Sequence, residues 1–494
     1  MLEGESARPS AVSTVVLAAG EGTRMRSTTP KMLHRIAGRP LIEHAVRAAA
    51  GIAPDELAVV VGHGREAVTG HLTELADTLG REIRTAVQER QLGTGHAVAC
   101  GLSGLGATGT VLVTYGDVPL LDAETLHGLL SEHEQSGNAV TVLSAVVDDP
   151  HGYGRILRDA NGAVTGIIEQ KDTTPQQTEI TEINSGVYAF DAAVLENALS
   201  RLSTDNSQGE LYLTDVLSIA RADGLSVGAL VCADPWLVEG VNDRVQLSRL
   251  GAEFNRRLLL HWMREGVTMT DPNSVWLDCD VALARDVVLE PGVQLRAGTT
   301  VGENARIGPD TTLTACAIRA GASVVRSHGE GAEVGPGASV GPFAFLRPGT
   351  HLGADGKVGT FVEVKNSEIG TGAKVPHLTY VGDATIGEHS NIGASSVFAN
   401  YDGVAKHHTV IGPHARTGSD TIFVAPVRIG DGAYTAAGSV ITQDVPPGAM
   451  AVARGRQRNI EGWVAKRRSG TAADQAAQRA LAERETTNPT NDAP

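Results

Sequence analysis

Residues 334–364 read VGPGASVGPFAFLRPGTHLGADGKVGTFVEV, and their spacing decides the fold of the C-terminal half of the chain. Val334, Val340, Leu346, Leu352, Val358 and Val364 recur at an unbroken interval of six, four of them followed at once by glycine. This is a hexapeptide repeat. Each six-residue unit forms one side of a triangular coil, its aliphatic residue pointing inward and small or polar residues turning the corner, and stacked coils make a parallel β-helix. The phase restarts at Ile369 and Val375, at Ile386, Ile392 and Phe398, and at Ile411, Phe423, Ile429 and Ile441. It breaks at NYDGVAKHH, residues 400–408, which should project as a loop.

Upstream of residue 270 the pattern is different. Short apolar runs alternate with amphipathic segments: TVVLAAG then PLIEHAVRAAAG, LAVVVG then GREAVTGHLTELADTLG, TVLVTYGD then DAETLHGLLSEHEQSG. Such alternation predicts an α/β, Rossmann-like domain with a mostly parallel sheet, where ligands sit beyond the carboxyl ends of the strands. Two glycine-bearing loops lie at such ends, after TVVLA and at TYGDVPL. The first, within TVVLAAGEGTRMRSTTPK (14–31), joins a strand, a loop nearly free of side chains, and the cations Arg24, Arg26 and Lys31. A phosphate chain needs that combination, because bare backbone N–H groups and basic side chains can both approach it. Residues 242–265, with Val245, Leu250, Phe254 and Leu258 at helical spacing, predict a long helix joining the two halves.

The net charge of −16 argues against a nucleic-acid-binding surface, so anionic ligands must meet local basic clusters. Cys100, Cys232, Cys279 and Cys316 are too scattered for a zinc knuckle or a disulfide framework, which fits a reducing compartment. The polar start MLEGESARPS lacks the features of a signal peptide and no apolar run approaches a membrane span, so a cytoplasmic protein is expected.

The motifs LAAGEGTRM with PK, QLGTGHA, YGDVPL, GYGR, EINSGVYAF, GVNDR, RPGT, EVKNS, HLTYVGD, SNIGA, NYDG, GSDT and EGW occur in this order between about residues 12 and 465. Together they resemble the bifunctional N-acetylglucosamine-1-phosphate uridylyltransferase and glucosamine-1-phosphate acetyltransferase family. The resemblance implies an α/β nucleotidyltransferase domain over 1–241, a linker helix over 242–266, a left-handed β-helix acetyltransferase domain over 267–465 and a polar, disordered tail over 466–494. It implies synthesis of UDP-N-acetylglucosamine for the cell envelope, with Mg²⁺, UTP and acetyl-CoA, in a cytoplasmic homotrimer whose acetyl-transfer site is built between subunits.

Residue by residue, the resemblance implies a UTP and UDP-sugar site of Leu17, Ala18, Ala19, Gly20, Gly22, Arg24, Lys31, Gln88, Gly93, Thr94, Tyr115, Gly116 and Asp117, completed by Gly154, Glu169, Asn184 and Asn242. Arg24 and Lys31 would hold the triphosphate, Gln88, Gly93 and Thr94 would read uracil, and Gly154, Glu169 and Asn184 would hold the amino-sugar. Asp117 and Asn242 would bind the metal through hard oxygen donors. Read alone, Asp117 could equally cap a helix and Asn242 could start the linking one. Glu21 departs from the expected pattern: an anion beside a triphosphate is unfavourable unless it faces water. For acetyl transfer the resemblance implies His377 as the base that takes a proton from the amine. Arg347, Lys365, Tyr380, Asn391 and Lys406 would bind the sugar phosphate, and Ala394, Asn400, Tyr401, Ser419, Ala437 and Arg454 acetyl-CoA, with Arg456 and Arg458 close by. Two other readings stay open: a nucleotidyltransferase whose β-helix serves only assembly or control, and a sugar-nucleotide-binding protein without catalysis.

Overall fold

The computed structural model describes residues 11–487; the opening MLEGESARPS and residues 488–494 lie outside the described residues. The first half is built on one sheet whose strands run, in spatial order, Val227–Cys232, Val140–Val146, Glu182–Asp191, Thr110–Tyr115, Val12–Ala18, Glu56–Val61 and Arg84–Val87. Val12–Ala18 lies inside it, next to the middle strand, and is parallel to both neighbours. Its Val15, Val16, Leu17 and Ala18 are buried, as a strand covered by helices on both faces must be.

One strand departs from the parallel expectation. Glu182–Asp191 is antiparallel to both neighbours. The chain leaves Val140–Val146 without a helical crossover and makes the hairpin Arg155–Arg158/Val164–Ile168 instead. Without that crossover it returns antiparallel.

Helix Arg244–Arg264 links the two halves. Its cap is Asp243, whose carboxylate accepts from the Val245 and Gln246 N–H groups, so the side chain of Asn242 is free of that duty. The same holds for Asp117: helix Ala123–Ser136 is capped by Asp122, not by Asp117. Along the linking helix Leu250 and Leu259 are buried, whereas Val245, expected on the apolar face, is 77% exposed. The hairpin Arg35–Ile36/Arg39–Pro40 docks on the first β-helix coil, where both the N–H and the thiol of Cys279 donate to the Ala37 carbonyl.

From Thr268 onward the chain winds into three parallel sheets of short strands, the left-handed β-helix. Val340 pairs with Val358 and Val358 with Val375, so each coil advances 17–18 residues, three hexapeptides with an occasional deletion. All six period-defining aliphatics are at most 3% exposed and belong to one continuous core. Glycine is required where coils touch: a Cβ on Gly359 would stand 1.9 Å from the Pro376 carbonyl oxygen. One corner is built from Phe343, Phe361 and Leu378, all at positive φ, on successive coils.

The tail requires a correction. Within the tail at 466–494, expected to be polar and disordered, a short helix, Trp463–Arg467, is followed by a longer one, Ala472–Thr487, while the last part of that expectation, residues 488–494, lies outside the described residues. The start of the longer helix is organised by Asp474, whose carboxylate accepts from the Gly470 N–H, while the Thr471 hydroxyl accepts from the Asp474 N–H. Alanine-rich composition supplies the propensity.

Candidate active sites

The glycine loop leaves the carboxyl end of strand Val12–Ala18 and enters a single helical turn at Thr23–Met25. Gly22 adopts the left-handed conformation at φ 65°, and a Cβ there would lie 2.6 Å from that of Lys31. That close approach delivers Lys31 to the end of the neighbouring strand, Thr110–Tyr115, where its ammonium donates to the Asp117 carboxylate. Lys31 also lies 3.4 Å from Oδ1 of Asn242, which accepts from Arg24 at 2.8 Å. Four residues implied by the sequence thus converge on one point.

Two adjoining cavities meet there. One of about 260 Å³ is lined by Leu17, Ala19, Gly20, Lys31, Gln88, Gly93, Thr94, Tyr115 and Asp117. The other, about 500 Å³, is lined by Arg24, Asp117, Gly154, Glu169, Asn184 and Asn242 among others. Thr94, Tyr115, Asp117 and Glu210 line both. Ala18 and Gly116 line neither; Ala18 is buried in strand Val12–Ala18, and the Gly116 N–H donates to the Leu17 carbonyl and ties the two loop-bearing strands together.

Gly93 is at φ 108°, and a Cβ would meet the Leu211 carbonyl oxygen at 2.6 Å. Thr94 accepts from the Leu213 N–H. In the larger cavity the Asn184 N–H donates to the Gly154 carbonyl, and Oδ1 of Asn184 accepts from both the Gly186 N–H and the Tyr188 hydroxyl. Burial raises the Glu169 carboxyl above the ordinary glutamate range, partly offset by a hydrogen bond from Thr214. Burial also pushes the Tyr115 phenol up, reinforced by the Glu169 and Asp117 carboxylates. Glu21 is exposed and lines an open cleft with His63 and Arg65 that shares Gln88 and Gln91 with the smaller cavity, so its charge faces water beside that cavity rather than within it. The sequence reading passed over Tyr153, Gln208, Glu210 and Tyr212, which also line the larger cavity.

On the β-helix, a second cluster gathers cations around one buried carboxylate. Asp383 accepts from Nδ2 of Asn366 at 2.7 Å and from Nδ2 of Asn400, with the Lys365 ammonium 3.6 Å away. Burial alone would raise its pKa, but these donors outweigh it and hold the carboxyl below the ordinary aspartate range. Lys406 reaches Lys365 from the projecting loop and is held below the ordinary lysine range by that neighbouring ammonium. Arg347 pairs with Glu363, whose strand neighbour is Tyr380, and a Cβ on Gly382 would touch the hydroxyl of that tyrosine. Asp383 and Asn366 were visible in HLTYVGD and EVKNS without a reason to single them out.

His377 stands at a corner, exposed, beside Leu378. Successive coils stack above it. The Ser395 N–H donates to the His377 carbonyl, the Asp420 N–H to Ala394 and the Gly438 N–H to Ser419, while Arg454 is the nearest residue to a Cβ placed on Gly438. His377, Ala394, Ser419, Ala437 and Arg454 therefore form a ladder up one corner, four steps or roughly 19 Å at ~4.8 Å per coil. Asn391 pairs with Lys374 and Arg416 on the adjacent face. Asn400 joins the Asp383 cluster rather than this ladder, and Tyr401 is 61% exposed on the loop.

A nucleotide-sized cleft on an α/β sheet, followed by a β-helix with its own cationic site, defines a two-domain sugar-nucleotide transferase. Comparison with known proteins agrees: residues 14–172 match the MobA-like NTP transferase domain and residues 408–443 the bacterial transferase hexapeptide repeat. The chain is 59% identical to the "Bifunctional protein GlmU" of Corynebacterium efficiens over 96% of its own length and 97% of that protein. It is 60% identical to the protein of that name from Nocardia farcinica, with 96% and 97% covered, and 58% identical to that from Mycobacterium tuberculosis, with 96% of each covered. The chain belongs to the bifunctional GlmU family. It is an enzyme of UDP-N-acetylglucosamine synthesis with two activities, acetyl transfer from acetyl-CoA to glucosamine 1-phosphate and uridylyl transfer from UTP to N-acetylglucosamine 1-phosphate, feeding cell-envelope synthesis.

Proposed function

We propose that the domain at 1–241 carries uridylyl transfer and the β-helix at 267–465 carries acetyl transfer, with 242–266 as the connection between them. The observation that carries this reading is the convergence of Lys31, Asp117, Asn242 and Arg24 at the seam between two cavities of unequal size. The smaller cavity suits the nucleotide base and the larger the amino-sugar, so the phosphates of both substrates meet at the seam. Arg24 and Lys31 then neutralise charge building on the departing pyrophosphate.

Asp117 and Asn242 fit a magnesium ion, since a cationic group, the Lys31 ammonium, already lies against both side-chain oxygens. Among the described residues no cluster of three or more His, Cys, Asp or Glu could hold a metal by itself. Two hard donors suit an ion that keeps water and phosphate oxygens in its shell. When bound, it would neutralise phosphate charge at the reacting centre. The chain's own groups do the rest: Gln88, Gly93 and Thr94 orient the base, and Gly154, Glu169 and Asn184 orient the sugar.

In the β-helix, Lys365, Lys406 and Arg347 attract the phosphate of glucosamine 1-phosphate, with Asp383 holding Lys365 in place. His377 takes the proton as the amine attacks the thioester and CoA leaves. The corner ladder of small residues up to Arg454 gives acetyl-CoA a track ending at the base. His377 adjoins the exposed corner of Phe343, Phe361 and Leu378, where the two phenyl rings stack at 5.3 Å. Such an apolar strip favours cover by another copy of the chain, and a homotrimer that completes the site between subunits is the arrangement we infer. No described helix is long and apolar enough to cross a membrane. The four cysteines are unpaired, which supports a reducing, cytoplasmic setting.

The test is one assay of purified protein with glucosamine 1-phosphate, acetyl-CoA, UTP and Mg²⁺, following CoA and pyrophosphate separately. Both should be released, pyrophosphate only after acetylation. Pyrophosphate without CoA, when N-acetylglucosamine 1-phosphate is supplied, would reduce the protein to a nucleotidyltransferase with a β-helix for assembly.

A further inference from the structure

Beneath the nucleotide cavity three side chains form a run of polar contacts. The Gln88 amide nitrogen donates to the Gly93 carbonyl at 3.1 Å and lies 3.1 Å from Nδ1 of His96. A carbonyl oxygen only accepts, so the NH₂ end of the amide faces Gly93. The imidazole nitrogen that meets the same NH₂ must then accept as well. That places the ring proton on Nε2, which points at the Cys100 sulfur 3.7 Å away. His96 and Cys100 are four residues apart on helix Thr94–Leu102, so one rigid turn holds both.

With both amide hydrogens engaged, only Oε1 of Gln88 remains for a ligand. Gln88 is 7% exposed and lines the smaller cavity. Among the described residues, no hydrogen-bond donor meets that oxygen. Gln88 therefore presents an acceptor, and its NH₂ end is held from two sides, by the Gly93 carbonyl and by Nδ1 of a histidine that does not line the cavity.

We propose that His96 is a positioning residue for base choice: as a hydrogen-bond acceptor it locks the Gln88 amide oxygen-outward, so that the cavity selects a pyrimidine presenting a ring N–H over one presenting a bare ring nitrogen. Uracil carries hydrogen on N3 and cytosine does not. With cytosine the Gln88 oxygen would face a lone pair, leaving a buried acceptor unsatisfied. The proposal rests on reading the smaller cavity as the nucleotide site and Gln88 as its base reader.

The experiment compares kcat/KM for UTP and CTP, with N-acetylglucosamine 1-phosphate as co-substrate, in the parent and in His96→Leu, His96→Ala, His96→Asn and Gln88→Leu. Using both Leu and Ala keeps the test intact if one variant folds poorly, and thermal unfolding of each variant beside the parent reports whether the nucleotide-binding domain is folded. His96→Leu and His96→Ala should lower the UTP-over-CTP preference about threefold to tenfold, the size of one lost neutral hydrogen bond. The change should appear mainly in the KM for UTP. His96→Asn, whose Oδ1 can replace Nδ1 as acceptor, should stay within about twofold of the parent. If Gln88→Leu loses the preference while His96→Leu and His96→Ala keep it, His96 has no positioning role. Equal losses in His96→Asn and His96→Leu would mean that ring packing, not the acceptor, matters, and would also overturn the proposal. A Gln88→Leu variant with parental preference would remove the underlying reading of the cavity.

Discussion

The ammonium of Lys31 rests on the carboxylate of Asp117, 86 residues further along the chain. Gly22 makes this possible by letting the loop pass directly over the lysine stem. The pair is largely buried, with 10% and 15% of the two side chains exposed, so removing either partner leaves the other charge uncompensated.

Asp117→Asn should lower uridylyl transfer by more than about 10²-fold, since several kcal/mol of charge stabilisation depends on the metal it would hold. Acetyl transfer should be unchanged, and chelation of divalent ions should reproduce the same split in the parent. Pyrophosphate and CoA release, measured in parallel, check this. Loss of both activities in a folded variant would contradict the division between domains.

His377→Ala should reduce acetyl transfer by about 10² to 10⁴-fold, the usual cost of losing a general base, and leave uridylyl transfer near normal. The loss should fall on kcat, because a general base acts on the reacting amine in the transition state rather than in ground-state binding. A variant whose KM alone rises would make His377 a binding residue.

Asp383 offers a pH test. Its carboxyl is held below the ordinary aspartate range in the folded state, so its stabilising contribution is fully present above that range and is lost as pH falls through the depressed value. Asp383→Asn should therefore destabilise the β-helix at neutral pH by about 1.5–3 kcal/mol. The gap from the parent should close once pH drops well below about 3.9. Denaturant titrations at several pH values measure it. The same variant should raise the KM for glucosamine 1-phosphate, as Lys365 loses its anchor. A gap that persists in acid would mean that packing, not charge, accounts for the effect.

Phe361→Glu places a charge in the middle of the exposed aromatic corner, where Phe361 is 58% exposed. In an isolated chain this is nearly neutral for stability, within about 0.5 kcal/mol. If the corner is covered by a second copy, a buried unpaired carboxylate should dissociate the assembly and abolish acetyl transfer while uridylyl transfer survives. Light scattering together with both assays decides it; an intact trimer with full acetyl transfer would place the subunit contact elsewhere.

The architecture was legible in the sequence wherever structure is repetitive or local. The six-residue recurrence from Val334 to Val364 names its own core, because in a β-helix every coil is packed by the coil before it and an inward position returns at a constant interval. The interior strand TVVLA and its glycine loop were equally plain, since a buried strand needs continuous apolar residues. The antiparallel strand Glu182–Asp191 was not, because its direction follows from a missing crossover rather than from its own residues. The helix Ala472–Thr487 was not legible either, because polarity alone suggests disorder, while alanine content and the Asp474 turn favour helix.

At the sites, the sequence alone determined which residue types were available: cations after a glycine loop, an aspartate at a strand end, a histidine among hexapeptides. It could not determine which of them meet. Lys31 reaches Asp117 and Asn242 across 86 and 211 residues, and no local pattern encodes a contact at that range. Asp383 looked like any acidic corner residue until burial and the Asn366 and Asn400 amides gave it a task. His96 stood within a quoted motif, yet its tautomer is set by a carbonyl and a glutamine that only the folded loop brings beside it. Local periodicity dictates burial, because burial repeats along the chain; charge compensation and hydrogen-bond direction are decided between distant segments, and only the tertiary structure joins them.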